Sequence, residues 1–144
     1  MILKTNKYFF AVGFLFIFFS CTDKEEFLAR VWVVNSIELD GVDYGTNIMR
    51  LNLFSLDKDN IGKIPVVIEF DTIPTMGEYN SIKWDYIDSN DRVDYIRIYN
   101  SQIDYFNDTF KVNIIDKGQG QVQFVGKRVK LDCVPLFQRV GIGI

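Results

Sequence analysis

The side chains of this chain that could do chemistry are carboxylates, two cysteines and a dense set of tyrosines and tryptophans; its 144 residues contain no histidine. Without an imidazole there is no Ser-His or Cys-His nucleophile, no ordinary zinc site and no base that titrates near neutral pH. Acid–base work would fall to carboxylates such as Asp85 with Asp88, or Asp91 with Asp94. These acids sit among turn residues, where a carboxylate usually accepts from backbone N–H groups. A two-carboxylate glycosidase needs its pair facing each other across a cleft, and a small strand-built domain leaves little room for one. An enzyme is therefore not expected, and no residue is given a catalytic role.

Asp57-Lys58-Asp59-Asn60-Ile61-Gly62 starts like a calcium loop, with acids at its first and third positions and Gly at its sixth. Ile61 and Ile68 stand where a polar ligand and a bidentate Glu are required. A hairpin turn is the better account, and neither a metal nor a cofactor is expected. Cys133 alternates with Val129 and Leu131 on an apolar strand face, where it should behave as a small buried hydrophobe.

The aromatic residues form the strongest constellation. Trp84 and Tyr86 alternate with Lys83 and Asp85, while Tyr95, Arg97 and Tyr99 share one face of the next strand, opposite Ile96 and Ile98. Both faces of that strand are partly apolar, which suits a wall with one packed side and one side lining a cavity or a partner surface. Tyr and Trp offer flat contact area with a polar tip. Trp84, Tyr86, Tyr95, Arg97 and Tyr99 are the candidate ligand-binding residues, with core packing as the competing account of the same rings.

These side chains must be carried by strands. From residue 21 onward Val, Ile, Tyr and Phe dominate and Ala occurs once, at Ala29. No ten-residue stretch has helical apolar spacing. Strands are expected at 30–39, 48–56, 63–71, 78–87, 92–99, 108–115, 120–126 and 127–134, separated by turn residues such as Asp40-Gly41, Asp88-Ser89-Asn90-Asp91 and Asp116-Lys117-Gly118. Eight short strands with such breaks read as an all-β, antiparallel eight-stranded barrel, with a β-sandwich as the alternative. The tail from Pro135 to Ile144 is left open as a further strand.

The N-terminus has a different composition. Lys4 and Lys7 precede a twelve-residue apolar run from Tyr8 to Phe19, then Ser20 and Cys21. A basic start, a short apolar run and a small residue before the cut make a secretory signal peptide; a membrane span needs about 20 apolar residues. The Ser20-Cys21 junction resembles the lipobox of bacterial lipoproteins, with Phe18 and Phe19 where Leu and a small residue are commoner. That resemblance implies cleavage before Cys21 and acylation of its thiol. Two or more acyl chains anchor a protein stably, where one holds it only marginally. The Phe-rich run and Lys24-Glu25-Glu26 are similar to lipoproteins of Bacteroidota. In those proteins an acidic stretch after the Cys signals export to the outer face of the outer membrane. Residues 1–20 are thus expected to be a signal peptide, 21–28 a lipidated tether and 29–144 the barrel domain.

Leu28-Ala29-Arg30-Val31-Trp32, followed by a strand and Asp40-Gly41, resembles the opening of lipocalin-like domains in small lipoproteins of that group, with Arg30 where the family has Gly. The resemblance implies that Trp32 closes one end of the barrel, with softer matches at Trp84, Tyr86, Phe106 and Phe110.

Composition limits the partners. Residues 1–20 hold two of the sixteen basic residues and none of the nineteen acidic ones, leaving fourteen against nineteen, a formal charge of −5, from residue 21 on. That balance, with scattered Lys and Arg, argues against nucleic acid. The expectation is a lipid-anchored, surface-exposed protein of the outer membrane that binds a small apolar or amphipathic ligand through its barrel. The alternative is a solid-barrelled accessory subunit of an outer-membrane complex, with a protein partner in place of a ligand.

Overall fold

A computed structural model describes residues 24–67 and 80–136. A short helix, α1 (Lys24–Leu28), is followed by β1 (Val31–Leu39), β2 (Val42–Asp43), β3 (Met49–Leu51), β4 (Leu53–Leu56), β5 (Ile61–Lys63) and β6 (Val66–Val67). Then come β7 (Ser81–Asp88), β8 (Asp94–Tyr99), a 3-10 turn (Asp104–Phe106), β9 (Asp108–Asp116), β10 (Gln121–Val125) and β11 (Val129–Pro135).

β1, β4, β5, β7, β8, β9, β10 and β11 pair antiparallel, each with the next, and β11 returns to β1 from Trp32↔Pro135 to Leu39↔Val129. This closes an eight-stranded up-and-down barrel, so the expected all-β barrel is the fold and the sandwich is not. Closure leaves the main sheet without a long unpaired edge. β2 folds back on β1 through Asp40 and Gly41, both at positive φ (50° and 85°), as the two-residue hairpin turn requires. β3 and β6 form a separate pair.

Most expected strands fall within a few residues of those observed. The run expected at 48–56 is two strands broken at Asn52, whose Nδ2 donates to the Val34 carbonyl at 3.3 Å. Residues 61–67 also divide in two, and the expected strand's end at 68–71 lies outside the described residues, as does the tail beyond Leu136. Residues 24–28 are not a bare tether. They form α1, because Phe27 and Leu28 have apolar surface to bury: Leu28 is 2% exposed, and its carbonyl accepts the Trp32 indole N–H at 3.1 Å.

Alternation decides what faces inward. In β1 the buried set is Trp32, Val34, Ile37 and Leu39, a period of two broken by one extra residue. The β1–β11 register shifts between Val34 and Ser36. A bulge there restores the inward face after the break. Rings fill the centre: Phe124 meets Trp32 edge-on at 5.7 Å and Phe54 at 5.1 Å. Cys133 is fully buried among them, and burial pushes its thiol well above the usual range. Polar side chains occupy the outside, where Lys130 pairs with Glu38 at 2.6 Å across the β11–β1 seam.

Candidate ligand site at the barrel mouth

The two ends of the barrel differ. One end carries the Asp40-Gly41 hairpin, the 3-10 turn and the β10–β11 turn. There Arg128 makes a two-pronged contact with Asp40 at 2.8 and 2.9 Å and stacks over the Tyr105 ring at 3.6 Å, while the Tyr105 hydroxyl donates to Asp40 at 3.1 Å. The guanidinium holds the Asp40 carboxyl below its ordinary range, and Asp40 in turn raises both Arg128 and Tyr105. These partners satisfy one another on the surface of that end.

The other end is the mouth, where β1 starts and the β7–β8 and β9–β10 turns meet. The inward face of β9 runs Phe110, Val112, Ile114, and exposure rises along it from 0% to 7% to 43%. The side-chain filling therefore stops short of the rim. α1 lies across this opening. Phe27 packs edge-on against Trp32 at 6.0 Å, Lys24 reaches Asp94 at 2.9 Å, and Lys58 of the β4–β5 turn reaches Glu26 at 3.0 Å. Between α1 and the rim runs a half-open groove of about 360 Å³. Phe27, Leu28, Val112 and Ile114 make it apolar; Lys24, Asp94 and Lys117 supply charge at its edges. The Tyr86 hydroxyl donates to Asp94 at 2.7 Å, so this carboxylate is held from two sides. A pocket near the small end of the ligand-binding range, apolar with a few polar groups at the edge, suits a small amphiphile.

The structure divides the residues singled out in the sequence. Trp84 is fully buried in the core, its indole N–H donating to the Asp57 carbonyl at 3.0 Å. That contact uses the turn at 57–60, the segment that resembles a calcium loop. Tyr86 lies two residues on, beside the rim. Tyr95, Arg97 and Tyr99 alternate with the buried Ile96 and Ile98 and stand on the outer wall. Arg97 pairs there with Asp85 at 2.6 Å, lies 5.4 Å from the Tyr99 ring centre, and is held protonated by that carboxylate. The five candidate residues therefore do not share one surface. One member of each carboxylate pair has a structural partner: Asp85 holds Arg97 on the outer wall, and Asp94 holds Lys24 and Tyr86 at the rim.

Lys24, Glu25 and Glu26 make up the first turn of α1, and Cys21 lies outside the described residues. The groove residues Phe27, Leu28, Val112, Ile114 and Lys117 were not singled out from the sequence. Two signals were available: the Phe-Leu pair directly after two acids, and the Ile114-Ile115 doublet that breaks the alternation of its strand. Compared with known proteins, the chain matches no family model, no curated protein and no solved structure.

Proposed function

We propose that this chain is a lipid-anchored binding protein of the outer membrane's outer face, tethered through Cys21, whose lipocalin-like barrel takes a small amphipathic ligand at its mouth. The observation that supports the reading is the apolar groove of about 360 Å³ between α1 and β9, with Lys24, Lys117 and Asp94 at its edges. The ligand's apolar part lies against Phe27, Leu28, Val112 and Ile114, and its polar part meets the charged edge. The rings of Trp32, Phe54 and Phe124 pack against one another at the barrel's centre, which favours binding at the rim. A fluorescent fatty-acid probe tests this: its emission should rise on mixing with the wild-type chain and fall sharply with Ile114→Asp. Equal probe binding by both would overturn the groove as the site. Palmitate labelling of wild type beside Cys21→Ser tests the anchor, and unchanged labelling would overturn it. Surface proteolysis of intact cells tests the outer-face location.

A second reading, an accessory subunit with a protein partner, is favoured by the outer wall. There Arg97, Tyr99, Asn107 and Thr109 line a shallow depression of about 450 Å³. On that reading Tyr99→Ala would abolish co-purification of a membrane partner while leaving probe binding at the mouth intact.

A further inference from the structure

We infer that the mouth end of the barrel is a membrane-docking face, seated on the bilayer that holds the anchor, with Ile114 and Ile115 as its apolar contact. The inference rests on the reading of Cys21 as acylated. Lys24, the first residue of α1, is the third residue after Cys21. A chain advances at most about 3.6 Å per residue, so the anchored cysteine stays within about 11 Å of the helix lying across the mouth. This end of the barrel is therefore held near the lipid, and the Asp40–Arg128–Tyr105 end is the one farther along the strands from the anchor.

The mouth is also equipped for such a surface. The β9–β10 register shifts between Gln121, paired with Asp116, and Val122, paired with Ile114, which leaves Ile115 as the extra residue of a bulge. A bulge re-aims side chains at a barrel rim. Two consecutive isoleucines are exposed here, Ile114 at 43% and Ile115 at 56%, where regular alternation would expose only one. Lys24 and Lys117 line the groove beside Ile114, but so does Asp94, and Asp116 directly follows Ile115. Attraction to anionic lipid is thus largely offset, and the contact is apolar, as for interfacial segments that bury one face at the headgroup boundary. A ligand entering the groove would then come from the membrane rather than from bulk water.

The test uses the full acylated chain reconstituted in phosphatidylcholine vesicles, with and without brominated acyl chains. Trp32 and Trp84 are buried, so their emission, read from the parent chain, is a fixed background. Ile115→Trp reports the docking face and Lys117→Trp, on the same turn, repeats the reading. Val42→Trp, 52% exposed in the parent on the far hairpin, is the control. The expected result is a blue shift and loss of emission in brominated vesicles for the first two, and no loss beyond background for the control. Equal quenching at both ends, or none at the mouth, overturns the docking. Shielding of Ile115→Trp in the unacylated Cys21→Ser chain, in buffer free of lipid and detergent, assigns the surface to a second copy and overturns it too. Mass analysis of the same sample separates the two readings. An unacylated chain removes the tether and the docking together, whereas an acylated chain with unquenched reporters overturns the docking alone.

Discussion

Nζ of Lys24 stands 2.9 Å from Oδ1 of Asp94, and the Tyr86 hydroxyl donates to the same oxygen at 2.7 Å. One carboxylate on β8 thus ties the first residue of α1 to the rim of β7. Lys24 is well exposed, so the ion pair itself contributes at most about 1 kcal/mol. Asp94→Ala should lower unfolding stability by about 1–2 kcal/mol, the added part coming from the half-buried Tyr86 hydroxyl losing its acceptor. It should also widen the groove and weaken fatty-acid probe binding. Urea unfolding and a probe titration on the same variant check both effects.

Leu28 and the outer tyrosines should separate cleanly. Leu28 is 2% exposed and belongs to the core cluster, so Leu28→Ala should cost about 2–4 kcal/mol. Tyr95→Ala and Tyr99→Ala, on the outer wall, should each cost under about 1 kcal/mol. Chemical denaturation of the three variants decides it. A small loss at Leu28 would mean that α1 is a dispensable tether after all.

Gly62 is a close-approach position. A Cβ built there would collide with the Ser55 backbone carbonyl and press on the Ile82 side chain, and Ser55 is held in register with Lys63. A backbone oxygen in a paired strand cannot turn aside as a flexible side chain can. Gly62→Ala should therefore destabilise by about 1–3 kcal/mol, visible as a lowered Tm, while Gly118→Ala, on an exposed turn, should change it little.

The Asp40–Arg128 contact carries a pH dependence of known sign. The guanidinium lowers the folded carboxyl below its unfolded value, so its contribution is present above the ordinary carboxylate range, about pH 4, and is lost as pH falls through the lower folded value. Asp43 acts in the same direction, held down first by the Gly45 backbone N–H and then by the Ser36 hydroxyl. Asp40→Asn should flatten part of the stability loss between pH 5 and the acid limit, and also lower stability at pH 7. Denaturant midpoints measured across that range would show an unchanged slope if the contact is idle.

Much of this fold was legible because its signals are local. Alternation in 127–134 and 108–115, Asp40-Gly41 as a hairpin turn, and the lack of helical spacing each depend on residues adjacent in sequence. The helix at 24–28 was not legible, since five residues are too few to show a period and isolated helices so short are not stable. It exists because Phe27 and Leu28 find Trp32 beneath them.

The sequence by itself determined that the chain is built of strands, that Tyr95, Arg97 and Tyr99 lie on one face opposite Ile96 and Ile98, and that imidazole chemistry is absent. Tertiary structure alone decided which of those faces is the inside. Ile carries no polar atom into the core, whereas each Tyr hydroxyl needs a partner wherever it is buried, so closure turned the isoleucines in and left the tyrosines on the wall. Closure itself pairs β1 with β11 across about a hundred residues, and the bulges that aim Ile37 inward and leave Ile115 exposed belong to registers between strands. Period-two patterning is a property of one strand; register, and therefore the groove at the mouth, exists only between two.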